Sequence, residues 1–132
     1  MTVKITLVTP PDIFENDNLS IMLFNVTEEQ QHAASQWFLN YEKTDHLNIY
    51  FHTNETDVPW LLHAMAVSKY KYINIDNIDG VANCLASYIL GKPNTYFSIT
   101  DPSLASLLGY INTNRVDNIE DFFERTLGAD NQ

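Results

Sequence analysis

The hydrophobic residues of this chain change period repeatedly along its length. Val3-Lys4-Ile5-Thr6-Leu7-Val8 alternates and is rich in β-branched side chains, the pattern of a strand. Pro10-Pro11 ends it, because neither residue donates to a ladder, and residues 12–18 are polar enough to be a loop. Leu19-Ser20-Ile21-Met22-Leu23-Phe24-Asn25-Val26 is almost wholly apolar, as a strand covered on both faces should be. Thr27-Glu28-Glu29-Gln30 then opens a helix. The threonine hydroxyl can accept from free N–H groups, Gln30 completes a capping box, and the glutamates suit the positive end of the helix dipole. Ala33, Ala34, Trp37, Phe38 and Tyr41 recur at helical spacing, which predicts a helix reaching about Glu42.

The same switch of period recurs downstream. Leu47-Asn48-Ile49-Tyr50-Phe51 reads as a third strand. Asp57 can cap the following helix, with Pro59 in its first turn, where a missing N–H costs nothing. Trp60, Leu61, Ala64, Met65 and Val67 supply the buried stripe of that helix. Lys71 to Asp76 is a fourth strand, and Val81 to Leu90 a helix stopped by Gly91-Lys92-Pro93. Asn94 to Ile99 is a fifth strand, and Asp101-Pro102-Ser103 starts a short helix through Leu104, Leu107 and Leu108. Asn118 to Arg125 is a last helix, packing Ile119, Phe122, Phe123 and Leu127. Strand, helix and parallel strand join by right-handed crossovers that place helices on both sheet faces. The expected fold is therefore a three-layer α/β/α sandwich with a mostly parallel four- or five-stranded sheet, its first strand either central or at an edge. Residues 1–127 form one domain in this reading and 128–132 a flexible tail.

Charge narrows the partners. Seven Lys+Arg against seventeen Asp+Glu give a net charge of −10. Lys4, Lys43, Lys69, Lys71, Lys92, Arg115 and Arg125 form no basic track, so neither direct nucleic-acid binding nor attachment to an anionic membrane is expected. A basic protein partner suits the charge, and an acidic surface also serves solubility. Cys84 is the one cysteine, which excludes an internal disulfide and a cysteine-based metal cage. It falls within a helix and reads as a small buried hydrophobe. No stretch reads as a signal peptide or membrane span, so a cytoplasmic protein is expected. Asparagine is frequent, as in Asn74-Ile75-Asp76-Asn77-Ile78-Asp79. AT-rich coding gives such a bias, and with the small size it points to a phage or other viral origin, hence the host cytoplasm.

Ligands of open α/β sheets sit beyond the carboxyl ends of the strands, where strand order reverses. The sequence places Asn25, His52, Asp76, Asp79 and Gly80 there. Asp76 and Asp79 could hold a divalent cation or a sugar hydroxyl pair. Equally, either could cap the next helix, with Gly80 relieving the turn. His52 is expected as a solvated loop histidine at a strand end. Neither G-x-G-x-x-G nor G-x-x-x-x-G-K-[ST] occurs, nor a G-x-S-x-G elbow, and the histidines lack ligand spacing. No catalytic set, metal site or cofactor is expected from these residues, and the tryptophans and tyrosines read as core.

Lys4-Ile5-Thr6-Leu7-Val8-Thr9-Pro10, then Ile73-Asn74-Ile75-Asp76, Gly80, the helix Val81 to Leu90 and Gly91-Lys92-Pro93, resemble in order the nucleoside 2-deoxyribosyltransferase-like group of flavodoxin-like α/β proteins. The resemblance covers about half of the chain and implies a nucleotide-like ligand near Asp76. The group's nucleophile is a glutamate early in that helix, whereas Asn83 or Cys84 stands at the corresponding place. An amide cannot form the glycosyl ester. The expected function is thus a non-enzymatic binding or assembly protein acting through protein contacts, self-association included. A nucleoside-processing protein is the alternative, and a DNA mimic, whose carboxylates imitate phosphates, ranks third.

Overall fold

A computed structural model describes residues 4–13, 19–41, 46–52, 58–76, 80–103, 106 and 114–128, without the side chains of 80–84. Five strands, β1 (Lys4–Val8), β2 (Leu19–Phe24), β3 (His46–Phe51), β4 (Tyr70–Asn74) and β5 (Thr95–Ser98), form one parallel sheet in the order β1-β3-β2-β4-β5. Among the described residues, the helices with defined bounds are α1 (Glu28–Phe38), α2 (Val58–Val67), α3 (Gly80–Leu90) and α4 (Ile119–Phe123), the last running into a π-helical turn at Glu124–Gly128. The expected three-layer α/β/α sandwich is the observed fold, with the layout of flavodoxin-like and Rossmann-like proteins. β1 is an edge strand.

Strand alternation sorts the core into two layers. Ile21, Leu23, Leu47, Ile49 and Tyr72 meet Ala34 and Phe38 of α1 and Ile119, Phe122 and Phe123 of α4. Met22, Phe24, Tyr50, Ile73 and Phe97 meet Trp60, Leu61, Ala64 and Met65 of α2 and Ala86 and Ile89 of α3. β2 contributes to both layers with every residue from Ser20 to Phe24 buried, which is why it reads as an unbroken apolar run. The path from β2 to β3 runs over the first face. The paths from β3 to β4 and from β4 to β5 run the other way across the sheet and over the second face. These three crossovers therefore share one hand, as the handedness rule requires.

Local signals explain the element ends. Gln30 N–H donates to Thr27 Oγ1 at 3.1 Å and Thr27 N–H to Gln30 Oε1 at 2.9 Å, the reciprocal capping box expected at α1. The helix stops at Phe38, four residues short of the expected Glu42. Asn40 N–H and Tyr41 N–H instead donate to the carbonyls of Trp37 and Phe38, both at 3.2 Å. This tighter turn still delivers Tyr41 to the buried side, so the apolar period outlasts the helix. β2 ends two residues before Val26 because Asn25 turns the chain at φ 61°, a conformation asparagine tolerates better than most residues. After β5, Phe97 N–H donates to Asn114 O and Val116 N–H to Phe97 O, so the returning chain covers part of that sheet edge before Asn118 caps α4. Pro102 and Ser103 are helical. So is Ser106, while the other residues of that expected helix, the Asp57 cap and the tail beyond Gly128 lie outside the described residues; Gly128 itself belongs to the π-helical turn.

Candidate functional site

The switch in strand order falls between β2 and β4, since α1 leaves β2 over one face and α3 follows β4 over the other. A small ligand of such a sheet would enter the crevice between these two strand ends. Here the chain's own amides occupy it. Asn25 Nδ2 donates to Asn74 O at 2.9 Å and to Asp76 O at 3.0 Å, and Asn74 Nδ2 returns a bond to Asn25 O at 3.0 Å. Asn74 Oδ1 accepts from Asp76 N–H at 3.2 Å. Asp76 Oδ1 accepts from both the backbone N–H and the hydroxyl of Thr100, each at 3.0 Å. The structure therefore unites Asn25 and Asp76, and engages them in joining β2, β4 and the end of β5.

Among the described residues, the other expected positions do not complete a ligand cradle. His52 is 7% exposed, its ring stacked on Phe24 at 4.3 Å, and its backbone N–H donates to Leu23 O. The solvated loop histidine expected from its polar neighbours is corrected to a buried one, because the residue still follows the strand and falls on an apolar layer. Burial pushes its pKa below the ordinary 6.5, so the ring is neutral at physiological pH. Asp79 lies outside the described residues, and Gly80 opens α3. Asp76, one of two candidates for capping that helix, spends Oδ1 on Thr100 instead. Among the described residues, no group of three or more His, Cys, Asp or Glu is placed to hold a metal ion.

Beneath this crevice runs a polar chain that sequence reasoning missed. Gln30 Nε2 donates to Tyr72 Oη at 3.1 Å, and Tyr72 Oη also shares a hydrogen bond with Ser98 Oγ. Gln30 thus caps α1 and anchors it to β4 and β5. Burial, with the nearby Asp76 charge adding to it against the opposing Ser98 bond, pushes the Tyr72 phenol up to about 12.

Open space lies elsewhere, between the end of α1 and α4. A groove of about 560 Å³ is lined by Gln36, Trp37, Asn40 and Tyr41 on one side and Glu120, Glu124 and Gly128 on the other. Trp37 packs against Tyr41 and Phe123 with ring centroids 4.9 and 5.2 Å apart. Its Nε1 donates to Glu124 Oε1 at 2.6 Å, a charge-assisted bond that fixes the indole at the groove wall. Glu120 and Glu124 are four residues apart on one helical side, both exposed. Arg125 is directed to Asp121 at 3.2 Å. A Cβ at position 128 would stand 2.8 Å from Glu124 Oε2, so the glycine leaves room for that carboxylate. The groove had a faint signature in the sequence: Trp37 and Tyr41 at i, i+4, and Glu120 and Glu124 likewise. Those aromatics read as core, and Tyr41 is in fact buried, whereas Trp37 is only half-buried. Neither a protein-family model nor a curated protein matches the sequence.

Proposed function

We propose that this chain is a non-enzymatic binding protein acting through protein contacts, and that its partner presents a basic segment to the groove between α1 and α4. A cytoplasmic setting, that of a host cell for a viral chain, belongs to the same reading. The observation that carries it is the contrast between two places. Internal hydrogen bonds fill the strand-end crevice, whereas the described groove combines indole, phenol and two carboxylates on a chain of net charge −10. Such a lining suits an arginine or lysine side chain, whose cation gains from aromatic faces and from charge-assisted hydrogen bonds. The net negative field speeds the encounter with a cationic partner and weakens as salt is added. Among the described residues of the crevice, Asn25 and Asp76 already serve the sheet, which weighs against the nucleoside-processing alternative.

Calorimetric titration with an arginine-rich octapeptide tests the proposal. Saturable one-to-one binding at low salt is expected, weakened at least ~10-fold when Glu120→Gln and Glu124→Gln are combined, a loss of about 1.4 kcal/mol. Equal affinity for wild type and double variant would remove the groove from the account.

A further inference from the structure

The two walls of the α1–α4 groove offer a cation different acceptors. The end of α1 contributes the amides of Gln36 and Asn40, four residues apart and both at exposed positions. α4 and the turn after it contribute the carboxylates of Glu120 and Glu124 at the same spacing. Amide and carboxylate oxygens both accept hydrogen bonds, so acceptors line the groove from two sides. Glu124 is held in place. Its Oε1 accepts from Trp37 Nε1 at 2.6 Å, and its Oε2 stands where a Cβ on Gly128 would be 2.8 Å away. The aromatic floor is stacked rather than splayed. Trp37 is tilted only 30° from Tyr41 and 31° from Phe123, with centroids 4.9 and 5.2 Å away. Such stacking spends ring faces on one another, so these rings do not enclose a cation as an aromatic cage does.

We infer that the groove selects arginine over lysine on the partner's basic segment, an inference that rests on the groove being the contact site. A net charge of −10 attracts both side chains alike, so donor geometry makes the choice between them. A guanidinium carries five N–H donors in one plane, enough to serve a carboxylate bidentately and a facing amide oxygen as well. An ammonium has three donors on a single nitrogen and holds its hydration water more tightly. The flat cation can also lie against an outer ring of the stack, whereas a methylated ammonium gains most from several free faces at once. The groove's volume of about 560 Å³ gives the long stem room beside the head group. Both cations carry one charge, so salt weakens the two alike and the preference outlasts screening.

Calorimetric titration of the whole chain with three octapeptides of equal charge reads the selection. One is arginine-rich and one carries lysine at the same positions. The third carries asymmetric dimethylarginine there, which keeps the charge but replaces N–H donors with methyl groups. The lysine and dimethylarginine peptides are expected to bind at least ~10-fold more weakly than the arginine peptide, the effect of losing a charge-assisted hydrogen bond. That ratio should persist between ~0.02 M and ~0.2 M salt. Gln36→Ala combined with Asn40→Ala, both at exposed positions, should keep the wild-type circular dichroism and narrow the arginine-to-lysine ratio at least ~3-fold. Equal affinity for the arginine and lysine peptides, still lost on combining Glu120→Gln with Glu124→Gln, overturns the inference and leaves the groove as a site for either cation. A ratio unaltered by the amide variant also overturns it, since the selection would then arise elsewhere. No binding of the arginine peptide at all sinks both the inference and the reading beneath it.

Discussion

Removing the Asn74 amide tests the closure of the strand-end crevice at its centre. Asn74 is 2% exposed, and Asn74→Ala deletes its donation to Asn25 O and its acceptance from Asp76 N–H. Each lost bond is worth about 1 kcal/mol net, and leaving a partner unsatisfied raises the cost to about 1–3 kcal/mol. Both partners are only part-buried, so water can recover some of that loss. About 2–3 kcal/mol is the expected total. For 132 residues the unfolding entropy at the midpoint is about 0.28 kcal/mol/K, so the melting temperature should fall by roughly 7–11 °C. Urea unfolding followed by tryptophan fluorescence gives the free energy directly, with the denaturant slope expected to be unchanged. A loss below about 0.5 kcal/mol would refute the reasoning, since the amides would then be incidental to holding β2 and β4 together.

Other expectations follow from single groups. Because the Tyr72 pKa is raised from 10.0 to about 12 on folding, the stability it contributes is complete below pH 10 and is lost as pH rises from 10 to 12. The loss is on the order of 2–3 kcal/mol, and urea midpoints of Tyr72→Phe should be flatter over that window. His52 has the opposite pH sense: its lowered pKa gives stability present above 6.5 and lost as pH falls below it. His52→Phe removes a buried Nε2 without a hydrogen-bond partner, so it should unfold within about 1 kcal/mol of wild type at pH 7.5 and resist acid better in a pH titration of circular dichroism. Gly128→Ala displaces the flexible end of Glu124, and should weaken the octapeptide in calorimetry by ~3–10-fold while changing stability by less than about 1 kcal/mol.

The layer architecture was legible because each element carried its own period. β2 is buried on both sides and has no polar alternation, Thr27 and Gln30 form the capping box their spacing implies, and Phe122 and Phe123 are fully buried. Ends were less legible, since a tight turn continues the helical stripe to Tyr41 after α1 has stopped. Of the strand-end residues, Asn25 and Asp76 do converge, while Asp79 lies outside the described residues. Their engagement was not legible, because it depends on backbone carbonyls brought together across about fifty residues, which no local pattern encodes. His52 misled for a related reason: polar neighbours in sequence say little about an apolar layer supplied by Phe24 on the adjacent strand. The groove depends on two helices about eighty residues apart, and only their docking through Trp37, Phe38 and Phe123 sets Glu124 beside the indole.

A ligand that binds only the native state must raise the melting temperature, so one thermal-unfolding experiment compares the two regions of the molecule. Wild-type chain would be melted at low salt with a panel of nucleosides and nucleotides, and in parallel with the arginine-rich octapeptide. The peptide is expected to raise the midpoint, and the nucleosides and nucleotides to leave it unchanged. A rise with any nucleoside and none with the peptide would contradict it, returning the function to the strand ends around Asn25 and Asp76.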